Sequence, residues 1–403
     1  MFKNRFSRIF IVIWAFLALD SCASTKLPPI GSEKAFQPEG DEKQLWKDSE
    51  RLEHAYEKSG LLYKDQELED YLNLLADKLV GQAVMDSGAR PRIKVVKNPL
   101  LNAFALPNGV VFIHSGMLAR MDNEAELSTV LGHELTHFTH RHSVKEMRSK
   151  KNKEALSSAL QIAIVVPAAA IGVGQPVGEL TGQIGDLWAL SSVRGYSREL
   201  ETEADENGLR MMIQTGYDPK ESPKVFELLQ QDLDERKVKE PFFFGTHPLL
   251  QMRIDNYKRL ISSEYAAQAK EAGRKVNADE FQRKILGVLL ENAALDLQIG
   301  RSNTAQAAIE KHLRYKPNNP RAYFLLGEVY REESDTARAS IAYQEAIKLD
   351  EQYAEPHREM GLIYHAQNRK KEARIELERY LALNPGAVDG PIIKGYLLDL
   401  EKP

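Results

Sequence analysis

The spacing of apolar residues shifts along this chain, and each shift predicts a different kind of element. Residues 41–59 and 66–86 carry apolar positions at helical intervals. Arg92-Ile93-Lys94-Val95-Val96 alternates, which predicts a strand. Ala103 to Leu106 and Val110 to Ile113 are two further short apolar runs flanking Pro107-Asn108-Gly109. An Asn-Gly pair between such runs predicts a hairpin. Asn123 then opens a helix as its N-cap, with Glu126 three residues on. Leu127, Val130, Leu131, Leu135 and Phe138 recur along it as one buried stripe.

Beyond Ile261 the composition turns charged and alanine-rich, and a repeat emerges. Ala305, Ala339 and Ala373 lie 34 residues apart, as do Ala293, Gly327 and Gly361, and Pro317, Glu351 and Pro385. Tyr330 and Tyr364 occupy equivalent places, with Asp296 breaking their series. This period, with small residues where paired helices touch, resembles tetratricopeptide repeats, which offer a concave surface to partner segments. The first copy is degenerate, and Ile392 to Leu400 follows the last as a capping helix.

The helix opened by Asn123 carries the densest chemistry, His133-Glu134-Leu135-Thr136-His137. Four residues make about one helical turn, so both imidazoles project the same way and can share one metal ion. Glu134 sits beside them, free to take a proton from an attacking water molecule. A catalytic zinc site needs a third protein ligand. The acidic segment Ser197 to Asp205 supplies candidates, because Glu201 and Asp205 are one turn apart. Glu201 completes a His-His-Glu set, and Asp205 can accept the outer ring N–H of a ligating histidine. His140 and His142, just past the helix, read as structural or solvated. Tyr196 and Arg198 stand before Glu201, within reach of a tetrahedral intermediate.

At these residues the chain resembles the HtpX-like and CAAX-prenyl-protease-like zinc metallopeptidases. That family pairs H-E-x-x-H with a later E-x-x-A-D, and Glu201-Thr202-Glu203-Ala204-Asp205 matches it. Upstream, Asn102-Ala103-Phe104-Ala105-Leu106-Pro107-Asn108-Gly109 is similar to the family's N-A-F-A-x-P-x-G segment. Downstream, Thr246-His247-Pro248 followed by Arg253-Ile254 is similar to T-H-P-x-x-x-x-R-I. The resemblance implies an α+β fold: a mostly helical, zincin-type (gluzincin) peptidase domain with a small β-sheet, then an all-α repeat solenoid. It implies one zinc ion per chain held by His133, His137 and Glu201, with Glu134 as catalytic base and Asp205 in support. His247 is implied as a fourth ligand or an oxyanion donor. It also favours using the edge of the small sheet to bind an extended peptide.

Length and charge frame this reading. A chain of 403 residues is expected to form two or three domains, and a net charge of −4 with no dominant basic face excludes nucleic acid as a partner. Lys3, Arg5 and Arg8 precede an uncharged run from Ile9 to Leu19, the layout of an export signal and too short for a membrane span. Leu19-Asp20-Ser21-Cys22 resembles a lipoprotein processing site whose lipidated residue is Cys22, the single cysteine. The expected organisation is a signal over 1–22, a tether over 23–40, a peptidase over 41–262, a linker or helix over 263–284 and repeats over 285–403. Ala155 to Gly178 lacks charge but is interrupted by Pro167, Gly172, Gly174, Pro176 and Gly178. A single crossing there would part His137 from Glu201, so the segment is read either as an apolar hairpin or lid near the cleft or as simple core packing.

The order of signal, peptidase and repeats resembles the BepA-type β-barrel assembly-enhancing proteases of the bacterial periplasm. This implies a zinc endopeptidase, exported and lipid-anchored to the outer membrane, that serves quality control or assembly of outer-membrane proteins. Unfolded or misassembled envelope proteins are the implied substrates, and the repeats are implied to dock the outer-membrane assembly machinery. The alternative is a chaperone or assembly scaffold whose zinc site is latent, with His247 filling the open position.

Overall fold

The computed structural model describes residues 25–33, 35–149, 196–236 and 250–401. The export signal with Cys22, the apolar segment Ala155 to Gly178, and His247 lie outside the described residues. The chain enters through α1 (Gly40–Ser59), α2 (Gln66–Val80) and a short α3 (Gln82–Asp86). Glu39 and Glu42 cap α1 reciprocally, and Asp65 caps α2 through the Leu68 N–H. The single helix expected over 66–86 is broken because Gly81 takes φ +75, which no helix can propagate.

A three-stranded sheet follows, built from β1 (Arg92–Val96), β2 (Ala103–Ala105) and β3 (Val110–His114) in the order β1-β3-β2. β1 runs parallel to β3, and β2 pairs antiparallel with it across the expected hairpin. Gly109 is required twice over in that turn. Its φ is +86, and a Cβ there would stand 2.8 Å from the ring of Phe138. The sheet is thereby pressed against α5.

After α4 (Ser115–Arg120), α5 (Glu124–Thr139) begins at Asn123, whose side chain accepts from the Glu126 N–H at 2.9 Å. Every residue of α5 is buried. Beyond it come α6 (His142–Ser149), α7 (Arg198–Gln214), α8 (Ser222–Arg236) and α9 (Leu250–Ser262). Two short helices, α10 (Ala266–Lys270) and α11 (Ala278–Lys284), occupy the expected linker. Phe281 in α11 is fully buried, so this stretch belongs to the core.

Three helix pairs and a final helix complete the described chain: α12 (Leu286–Gln298) with α13 (Ser302–Tyr315), α14 (Pro320–Glu332) with α15 (Thr336–Leu349), α16 (Ala354–Ala366) with α17 (Lys370–Leu383), then α18 (Gly390–Leu400). The small residues of the repeat explain themselves here. A Cβ on Gly327 would meet the Tyr343 ring at 2.3 Å, and one on Gly361 would meet Leu377 at 2.6 Å. Each glycine makes room for a large side chain of the partner helix.

The first pair departs from the others because it also packs on the preceding domain. Val288, Leu289 and Ala293 share one buried cluster with Met117 and Leu118 of α4. Asn292 accepts from Ser115 Oγ at 3.0 Å. Asp296, buried where later repeats carry tyrosine, accepts from Asn292 at 2.8 Å and lies 3.4 Å from Arg301. Arg301 in turn donates to the Pro99 carbonyl and to Asp232. Residues expected in the tether are likewise packed: Leu27 and Ile30 are buried, and the Ile30 N–H donates to the Thr139 carbonyl at 2.7 Å. Their apolar side chains find a buried surface at the end of α5, so this part of the chain is no free spacer. Among the described residues, no helix is long and apolar enough to cross a membrane.

Candidate metal centre

The centre exists because α5 and α7 touch backbone to backbone. A Cβ on Gly208 would stand 2.7 Å from His133 N, and one on Gly132 would stand 2.8 Å from Gly208 O. Only glycines permit so close a crossing. On α7, Glu201, Asp205 and Gly208 fall at i, i+4 and i+7 and so share one face. The two carboxylates are thus delivered to the histidines of α5.

The side chains converge as the spacing predicts. His133 Nε2 and His137 Nε2 are 3.0 Å apart, and the Glu201 oxygens lie 3.5 Å from each. All three residues are buried, and their ligand atoms lie within 4.8 Å of one another. A tetrahedral ion with bonds near 2.0–2.1 Å separates its donors by roughly 3.3–3.4 Å. The observed separations bracket that value, so these residues fit a small divalent cation. The donor set, two imidazoles and a carboxylate, is one that zinc accepts. Burial, joined by the Arg253 charge, pushes the His133 ring down to about 4, which keeps it neutral with its lone pair available.

Asp205 takes the expected place behind His133, with Oδ1 2.9 Å from His133 Nδ1. Burial by itself would raise this carboxyl, but Arg253 and His133 outweigh it and hold Asp205 near 2. Arg253 is fully buried and grips Asp205 with two bonds, Nη2 to Oδ1 at 2.6 Å and Nε to Oδ2 at 2.9 Å. It lies 3.4 Å from Glu201 and stacks over Phe226, 4.4 Å from the ring centre. Tyr257 adds an O–H donor to Asp205 at 3.1 Å. The sequence places Arg253 in a motif but assigns it no task. Tyr257, one turn further along α9, carries no sequence signal.

Glu134 accepts the Ala105 N–H at 3.0 Å, which ties it to edge strand β2. Asn102 O accepts from His114 N, and Leu106 N donates to Val110 O. Pairing alternates along an antiparallel ladder, so Ala103 and Ala105 turn their backbone groups away from β3, to a buried sheet edge where Glu134 takes the Ala105 N–H.

Other sequence candidates fall into place differently. Tyr196 stacks on the His137 ring with centroids 3.9 Å apart, and its hydroxyl meets Ser143 Oγ at 2.9 Å. Arg198 is exposed on the first turn of α7. His140 caps α5, with Nδ1 3.2 Å from Thr139 Oγ1. His142, read from sequence as structural or solvated, reaches the candidate ligand His137: the two Nδ1 atoms are 2.9 Å apart. It follows His137 by five residues across a helix break, a spacing that no helical pattern flags.

Comparison with known proteins agrees with this geometry. Residues 64–261 match the sequence profile of Peptidase family M48, and residues 327–368 match that of the TPR repeat. The chain is 30% identical over 200 residues to the beta-barrel assembly-enhancing protease of Yersinia pestis, covering 49% of this chain and 40% of that protein. It is 29% identical over 204 residues to the protein of that name in Escherichia coli strain K12, covering 49% and 39%. It is 30% identical over 207 residues to the mitochondrial metalloendopeptidase OMA1 of Schizosaccharomyces pombe, covering 50% and 57%. The chain thus spans about two fifths of the length of these two bacterial relatives.

Proposed function

We propose that this chain, which carries a peptidase M48 domain followed by TPR repeats, is a zinc-dependent endopeptidase of the bacterial cell envelope. The observation that carries the reading is the meeting of His133, His137 and Glu201 around one point, with Glu134 beside them. A bound zinc ion supplies Lewis acidity for the scissile carbonyl and for the attacking water. Every other part of the task falls to side chains of this protein.

Glu134 takes the proton from the attacking water and returns it to the leaving amine. The Ala105 N–H fixes that carboxylate and ties it to β2. The outward backbone groups of Ala103, with the Ala105 carbonyl, pair with an extended substrate, which lays the scissile bond beside Glu134. Asp205, held by Arg253 and Tyr257, keeps the His133 ring oriented with Nε2 toward the ion. His247 acts from the segment after α8 as an oxyanion donor.

The names of the bacterial relatives join proteolysis to β-barrel assembly, and unfolded or misassembled envelope proteins are the substrates in this reading. Extended, unpaired strands are the form of chain that an open sheet edge captures. In this reading the repeats dock the outer-membrane assembly machinery, and an acyl group on Cys22 anchors the exported protein to the membrane. The basic residues and uncharged run ahead of that cysteine support export.

The decisive comparison is wild type against Glu134→Gln, with bound metal and cleavage of an unfolded β-barrel protein measured on the same samples. The variant should keep its metal while cleavage falls by about 10²–10⁴-fold. Cleavage by the variant at the wild-type rate would refute the mechanism.

A further inference from the structure

A histidine that binds a metal through one ring nitrogen needs its other nitrogen held. Asp205 does this for His133. For His137 the neighbour is a second imidazole: His142 Nδ1 lies 2.9 Å from His137 Nδ1, and His142 Nε2 lies 3.4 Å from Glu203 Oε2. We infer that His142, backed by Glu203, is a positioning residue that fixes the tautomer and plane of the ligand His137. The inference rests on the metal-site reading above.

Only one order of protons suits a ligand at His137 Nε2. His137 Nδ1–H donates to His142 Nδ1, and the His142 proton sits on Nε2, where the Glu203 carboxylate 3.4 Å away favours it electrostatically without a formed hydrogen bond. The opposite order places a proton on His137 Nε2 and removes the lone pair that the ion needs. Glu203 is also approached by Lys145 Nζ at 3.4 Å, which favours its charged form.

The fold goes to some length to bring His142 there. It sits at the start of α6, past the end of α5, and the chain must double back to reach His137. Arg141 makes that turn with φ +57, a conformation costly for any residue but glycine. Its side chain is pinned by Glu42, with bonds of 2.6 and 3.1 Å, and by Glu39 at 3.2 Å. His142 is itself fully buried. Tyr196, stacked on His137 and bonded to Ser143 beside His142, fixes the ring from its face.

The test compares zinc affinity by chelator competition in the full chain carrying His142→Phe or His142→Asn. Phenylalanine fills the ring's space but accepts nothing, whereas asparagine places an acceptor oxygen near the position of Nδ1. His142→Phe should bind zinc about 10–100-fold more weakly, and His142→Asn should recover to within about threefold of wild type. Melting of each variant with and without zinc separates positioning from packing: the phenylalanine variant should show a smaller zinc-induced rise and keep the melting point of the metal-free chain. Wild-type affinity in His142→Phe, or equal weakness in both variants, overturns the inference. A wild-type chain that takes up no zinc would overturn the metal-site reading and this inference with it.

Discussion

The glycine crossing of α5 and α7 predicts that Gly208→Ala damages the metal site although alanine favours helix. The added Cβ would stand 2.7 Å from His133 N and 2.8 Å from Gly132 C, both backbone atoms that cannot rotate away. Ordinary contact needs 3.4 Å or more, so the helices must part by about 0.7 Å. Metal–ligand distances tolerate only about 0.2 Å. Helix propensity returns up to about 1 kcal/mol, whereas overpacking costs about 1–3 kcal/mol, so the net loss of stability is small. The effect should therefore show in metal binding more than in folding. Zinc affinity measured by chelator competition should fall at least about tenfold, the loss expected when a ligand is misplaced, with peptide cleavage falling alongside. Gly395→Ala is the control, because nothing lies within 4 Å of a Cβ there. Gly208→Ala binding zinc as tightly as wild type would refute the claim that this crossing sets the ligand positions.

Arg253→Met should cost about 3–5 kcal/mol in urea unfolding of the metal-free chain, because it leaves the buried Asp205 carboxylate without its counter-charge. A loss below about 1 kcal/mol would contradict that role. Burial pushes His114 down to about 4 from 6.5, so the unfolded chain takes up a proton that the folded chain refuses. Stability from this group is complete above its unfolded value and is lost as pH falls from 6.5 toward 4, by on the order of 3 kcal/mol. His114→Asn, which keeps a donor for the Leu100 carbonyl, should flatten the pH dependence of unfolding over that range; an unchanged slope would refute the assignment. His247→Ala should lower cleavage by about 10²-fold or more if that residue serves the oxyanion. A rise in cleavage would instead favour a self-inhibited site with the protein acting first as a scaffold.

Local geometry is what the sequence determined. His133 and His137 share a face because a helix turns once in about four residues, and Asn123 caps that helix because its short side chain reaches the Glu126 N–H. Asn108-Gly109 makes a hairpin and the 34-residue period makes helix pairs for equally local reasons. The faces that meet were decided by the tertiary structure. Two glycines far apart in sequence, Gly132 and Gly208, let α7 bring Glu201 and Asp205 to the histidines. Arg253 acquired its task only when α9 placed it against Asp205, and His142 only when Glu42, 99 residues upstream, held Arg141 in its reverse turn. The first repeat carries Asp296 where later repeats carry tyrosine, because its helix also packs on α4 through Asn292 and Ser115. Periodicity records how a backbone coils over a few residues, whereas these contacts depend on which surfaces exclude water together, a property of the whole chain.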